Sequence, residues 1–134
     1  MEEIILKSNI ENLDLVLLKI EELLEDKEIS MKSKLKLELI IEELFVNICN
    51  YAYEKEGEIK IQYGLLENPL RIIMNFIDEG VKFNPLDKEG PDLTLDADQR
   101  DIGGLGLTIV RKNADEIDYK YENNQNILTI EKIF

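Results

Sequence analysis

The chain has 134 residues, a single cysteine, no histidine and a formal net charge of −13. That length suits one domain, residues 1–134, with a sizeable core, and the missing histidine rules out a Ser-His-Asp triad, a Cys-His pair, a His-based zinc site and a phosphoacceptor histidine within these residues. The acidity disfavours nucleic acid and anionic membrane as partners, and no apolar run approaches the ~20 residues that a membrane span needs.

Taken in chain order, residues 2–8 read as a short strand. Residues 9–26 follow helical period, with Ile10, Leu13, Leu17, Ile20 and Leu24 at spacings of three and four, and Ser8 or Asn9 is a suitable N-cap. Ser30 precedes a longer helix to about residue 54, which Gly57 breaks. Residues 58–63, EIKIQY, alternate as a half-buried strand does. After a turn at Asn68-Pro69, residues 70–77 are apolar on nearly both faces, the pattern of a central strand. Residues 84–102 hold two prolines, Gly90, and six acidic against two basic residues, and read as a long loop. A third helix opens at Gly103 and runs to about Ala114. Two strands close the chain, near 116–122 and 126–133, joined at Asn123-Asn124. This order predicts an α+β two-layer sandwich with a mixed, mostly antiparallel sheet and three helices on one face. No basic n-region opens the chain, so no secretory signal is expected, and the lone Cys49 fits the reducing cytoplasm as a small core residue.

Three segments carry chemistry. The second helix contains EELFVNICNYAY, residues 42–53. Glu43, Asn47 and Asn50 fall on one face, four and three residues apart. A solvated helix face gives the same spacing. However, the rows on either side are apolar, and no basic residue stands between Lys36 and Lys55. The central strand then ends in DEGVKFNP, residues 78–85. Asp78 shares parity with Ile72, Met74 and Phe76, so its carboxylate leaves on an apolar face and needs a donor. The exocyclic amine of a purine is a suitable one, and Gly80 would let a flat base reach the backbone. A solvated strand-end turn is the alternative. Last, GGLGLT, residues 103–108, leaves amide groups uncovered at a helix start, where anions are attracted. It matches neither a Walker A loop nor a dinucleotide fingerprint, and a flexible hinge would look the same.

In this order the three segments resemble the GHKL ATPase superfamily, with its Bergerat fold, over about residues 30–134. Within it, the sequences ELFVN and IGGLGLTIVR are similar to those of the bacterial anti-sigma factor serine/threonine kinases. The resemblance implies ATP and Mg²⁺ as ligands, with Asn47 on the metal and Glu43 as the base for an attacking serine. It implies Asp78 at the adenine amino group with Gly80 giving the base access, Gly104, Gly106 and the Leu105 amide at the phosphates, Thr129 more loosely near the adenine, and Asn50, Phe83, Arg100 and Gly103 elsewhere in the nucleotide site. Residues 86–102 would be the ATP lid. The implied partners are an anti-anti-sigma STAS-domain protein, whose serine is phosphorylated, a sigma factor, and a second copy of the chain in a homodimer. A sigma-sequestering module with little turnover is the other function the resemblance allows. Two departures bear on it. Asn50 and Tyr51 stand where related sites often carry a basic residue, and Ile102 stands where an arginine is often found.

Overall fold

A computed structural model describes residues 1–84 and 103–134, and residues 103–107 by their backbone alone. The lid at 86–102 and Arg100 lie outside the described residues. Five strands form one sheet: β1 (Glu2–Lys7), β2 (Glu58–Leu66), β3 (Arg71–Asp78), β4 (Glu116–Glu122) and β5 (Gln125–Ile133), in the order β1-β2-β3-β5-β4. Three helices, α1 (Leu13–Leu24), α2 (Met31–Tyr51) and α3 (Gly103–Asn113), cover one face. The α+β expectation holds. The sheet is more regular than expected, since all four pairings are antiparallel.

Local chemistry explains most boundaries. Ser30 caps α2 by accepting from the Ser33 amide at 3.1 Å, which satisfies one of the free donors of the first turn. Asn9 caps a short 3₁₀ turn, Ile10–Asn12, through the Glu11 amide at 2.9 Å. The α-helical part of the first helical segment therefore starts at Leu13. The β4–β5 hairpin turns on Asn123 (φ 52°) and Asn124 (φ 62°), with Glu122 paired to Gln125. Both positions need positive φ, which asparagine tolerates.

The core lies between the helices and one face of the sheet. Ile59, Ile61 and Tyr63 of β2, Ile72, Met74 and Phe76 of β3, and Leu128 and Ile130 of β5 meet Leu37, Ile40, Ile41, Leu44 and Phe45 of α2. Val110 anchors α3 to the same core. The strand alternation that buries Phe76 also turns Asp78 inward, two residues later. On β5 it does the same to Asn126, directly opposite Asp78 in the register. Two polar side chains thus close the apolar face at one end of the sheet, under the C-terminal half of α2.

A long-range contact ends α2 at Tyr51, short of residue 54. The Ala52 carbonyl accepts from the Val81 amide at 2.8 Å, which ties the helix end to the segment leaving β3. A Cβ on Gly80 would lie 2.1 Å from that carbonyl oxygen. Only glycine fits so close to a backbone.

Candidate functional site

The end of α2, the exit of β3, the start of β5, and β4 enclose a cleft. Leu44, Asn47, Ile48, Tyr51 and Ala52 form its helix wall; Phe76, Asp78, Asn126, Leu128 and Tyr119 form the sheet wall; Val81 and Phe83 close it. Phe83 leans on Tyr51 with ring centroids 6.5 Å apart. The lining is mostly apolar and aromatic, with a few polar groups at fixed points, as in sites that hold flat ligands.

Asn126 organises the sheet wall. Its Nδ2 donates to Asp78 Oδ1 at 2.8 Å and to the Val81 carbonyl at 2.9 Å. Its Oδ1 accepts from the Tyr119 hydroxyl at 2.6 Å and from the Phe83 amide at 3.2 Å. An amide has two donors and two acceptor lone pairs, and all four are used. Asp78 is 5% exposed. Its Oδ1 also accepts from the Gly80 amide at 2.9 Å, and Oδ2 takes neither bond. Burial pushes the Asp78 carboxyl above the usual carboxylate range, and the Asn126 amide and Gly80 N–H oppose that shift. Asp78 Oδ2 is thus left outside both of these hydrogen bonds, on a side chain that lines the cleft.

The helix wall is less complete. Asn47 lines the cleft, and its Nδ2 is buried without a hydrogen-bond partner. Such an orphan donor costs about 1–3 kcal/mol and marks a place where a ligand acceptor belongs. Glu43, one turn earlier, is half-buried. Burial, and then the charge of Glu42, raise its carboxyl above the ordinary glutamate value. The Cys49 thiol is pushed up to about 11 by burial and by Glu56, which removes it as a nucleophile at neutral pH.

The structure thus brings together Asn47, Asp78 and Phe83, with Glu43 one helical turn away. Gly80 forms the turn behind Asp78, where a side chain would collide with the Ala52 carbonyl. Asn50 is exposed and outside the cleft lining. The backbone of Gly103, Gly104, Leu105 and Gly106 forms the first turn of α3, as the glycine box requires. Thr129 needs correction. It pairs with Asn75 on the opposite face of the sheet and donates to Asn75 Oδ1 at 2.7 Å. Its parity along β5 is that of the open face, so it cannot reach the cleft. The polar β5 residue in the site is Asn126, three positions earlier. Its signal is present in the sequence: a polar residue in phase with Leu128 and Ile130 on an apolar face, just like Asp78 in β3. Tyr119 becomes readable only once Asn126 is placed.

A profile for the histidine kinase-like ATPase domain matches residues 6–132, and the chain belongs to that family. Within it, the chain resembles the serine-protein kinases RsbW of Bacillus cereus (strain AH820) and Bacillus thuringiensis (strain Al Hakam). It is 33% identical to each over 97 residues, covering 69% of this chain. The matched segment spans 59% of the length of those curated relatives. Among solved structures, the RsbU and RsbW domains of Rv1364c from Mycobacterium tuberculosis match with a TM-score of 0.66 at 13% identity, over 99% of this chain and 33% of that one. The catalytic domain of histidine kinase ThkA matches with a TM-score of 0.51 at 16% identity, over 99% of this chain and 97% of that one. These two likenesses establish the shared fold.

Proposed function

We propose that this chain binds ATP in the α2–sheet cleft and transfers its terminal phosphoryl group to a serine of a small regulatory protein of the anti-anti-sigma, STAS-domain kind. The observation that carries this reading is the cleft itself. At one end a buried carboxylate is held by Asn126 with one oxygen to spare, and at the other the Asn47 Nδ2 is a buried donor with no protein partner, which a phosphate oxygen would satisfy. The similarity to RsbW serine-protein kinases supports the choice of acceptor.

Asp78 accepts the adenine amino group, while Tyr51, Phe83 and Leu128 flank the ring and exclude water. The first turn of α3, with Gly103, Gly104, Leu105 and Gly106, offers uncovered amides to the phosphates. Asn47 suits Mg²⁺: an amide oxygen is a hard ligand, and Mg²⁺ typically takes one or two protein groups plus substrate phosphates. No cluster of three acidic, cysteine or histidine ligands exists among the described residues, so the phosphates themselves would complete the coordination. When bound, the ion neutralises phosphate charge as transfer proceeds. Glu43 is the base. Its raised carboxyl lies closer to working pH than an exposed glutamate would, which favours taking the proton of the attacking hydroxyl.

Incubation with labelled ATP, Mg²⁺ and STAS-domain proteins tests the reading, with label on a partner serine as the expected result. Transfer by Glu43→Ala at the wild-type rate would remove Glu43 as the base. A second reading, nucleotide-dependent capture of a sigma factor with little turnover, draws on one feature. The described lining of the cleft contains no lysine or arginine to steady the phosphates. Nucleotide-dependent pull-down of a sigma factor without label transfer would favour it. In either case a homodimer is the proposed working form. No helix of the described residues is long and apolar enough to cross a membrane, and a cytoplasmic setting is proposed on the same grounds as the partners.

A further inference from the structure

The Asn126 side chain has no hydrogen-bonding capacity left for a ligand, yet it touches every element of the sheet wall. It bonds Asp78 at the end of β3, the Val81 carbonyl and Phe83 amide of the following turn, and Tyr119 of β4. The turn is fixed from both sides. The Val81 amide is held by Ala52 of α2, and the Lys82 ammonium sits 5.2 Å from the centre of the Tyr121 ring on β4.

We propose that Asn126, held by Tyr119, is the positioning residue that sets base selectivity. By occupying Oδ1 of Asp78, a residue of the cleft lining, it leaves Oδ2 free to accept. By pinning residues 81–83 it keeps Phe83 over the ring. The site then takes a purine whose six-position carries an amine and rejects one carrying an oxygen. Against a six-oxo purine, Oδ2 would face a second acceptor, which is unfavourable in a buried site. This rests on the nucleotide reading above and adds the residues that enforce it.

The proton on Asp78 matters to the same choice, because a protonated carboxyl would donate instead of accept. The titratable groups around it among the described residues are Tyr51 and Tyr119 in the cleft, and Lys7, Tyr53, Glu58, Lys60 and Glu79 in the shallow groove behind the strand end. The two N–H groups on Oδ1 both favour the ionised form. Removing Asn126 withdraws one of them and frees the carboxylate to rotate.

The test is calorimetric titration of the full chain with Mg-ATP and with Mg-ITP, which differ in the six-position group, amine against oxygen, and in the proton that the oxo form carries on N1. Wild type is expected to prefer ATP by about 10- to 100-fold, the value of one hydrogen bond to a buried charge. Asn126→Leu, of similar size, should bring the ratio to within about 3-fold of unity. A merely structural role would weaken both nucleotides in parallel and leave the ratio unchanged. Tyr119→Phe keeps the ring and deletes one hydrogen bond, so it reports even if the leucine variant fails to fold. It should lower the ratio by about 3-fold. An unchanged ratio in a folded variant overturns the inference while leaving ATP binding in place. A wild-type protein that binds neither nucleotide overturns both.

Discussion

The two ends of the cleft are built in opposite ways. At the sheet end, Asp78, Asn126, Tyr119 and the 81–83 turn satisfy one another, with every donor and acceptor of Asn126 in use. At the helix end, Asn47 carries a buried orphan donor, and Glu43 is lifted toward neutrality by burial and by Glu42. The sheet end is complete without ligand, and its shape comes from strand register. The helix end is unfinished without ligand and holds the groups that would do chemistry. On the proposed reading, one preorganised end and one unsatisfied end fit a protein that spends binding energy on one part of its ligand to position another.

The largest effect should come from the unfinished end. Glu43→Gln keeps size and hydrogen bonding but removes the proposed base, so on that proposal phosphoryl transfer to a STAS partner should fall by about 10²–10⁴-fold. ATP affinity, read by titration, should change little. If transfer and affinity fall together, Glu43 positions the nucleotide and is not the base.

Asp78→Asn tests the finished end. Its oxygen can still accept from Asn126 and Gly80, but the cleft now meets an amide donor. ATP affinity should drop by about 10- to 100-fold. The unliganded protein should keep or raise its melting temperature, because a buried charge has gone. A melting temperature several degrees lower would mean that Asp78 is chiefly structural.

Asn47→Ala separates the ends further. Most truncations of α2 on its core face should cost about 2–5 kcal/mol, as for Leu44→Ala. Removing Asn47 also deletes an orphan donor worth about 1–3 kcal/mol, so unliganded stability should stay within about 1 kcal/mol of wild type. Saturation at about 100 times Kd stabilises by about 2.7 kcal/mol. The variant should lose the Mg²⁺-dependent part of that gain, read as the difference in thermal shift with and without Mg²⁺. An intact Mg²⁺ response would move the metal site away from Asn47.

Much of this is legible from residue order because local rules and the global fold agree. Ser30 caps α2, the Asn123-Asn124 pair makes the hairpin, and the parity of β3 turns Asp78 inward. On β5 the resemblance points to Thr129, because it matches by position rather than by phase. Counting from Leu128 and Ile130 selects Asn126 instead. Gly80 shows a different limit. Its position is marked by sequence, but the atom it avoids, the Ala52 carbonyl, lies 28 residues earlier in the chain and only folding brings it near. Contacts of that kind also set the end of α2 and the bond between Asn126 and Asp78. They depend on which elements meet, and no local pattern encodes that.

The smallest effect is one of pH, and its sign differs between the free and liganded protein. The Asp78 carboxyl is raised in the folded chain, chiefly by burial. Its contribution to folding stability is therefore fully present below the ordinary aspartate value and is lost as pH rises through the raised folded value. A tenfold difference in proton affinity between the folded and unfolded chain is worth about 1.4 kcal/mol. The stability gap between wild type and Asp78→Asn should be widest near neutrality and close in acid. ATP-dependent stabilisation should run the other way, since the adenine amine needs the ionised acceptor, and should shrink as pH falls through the same value. Glu43 is also raised, so both curves belong beside those of Glu43→Gln, which should keep the two opposite slopes. Two parallel slopes, with no opposition between free and liganded protein, would show that the base is read by a group other than Asp78.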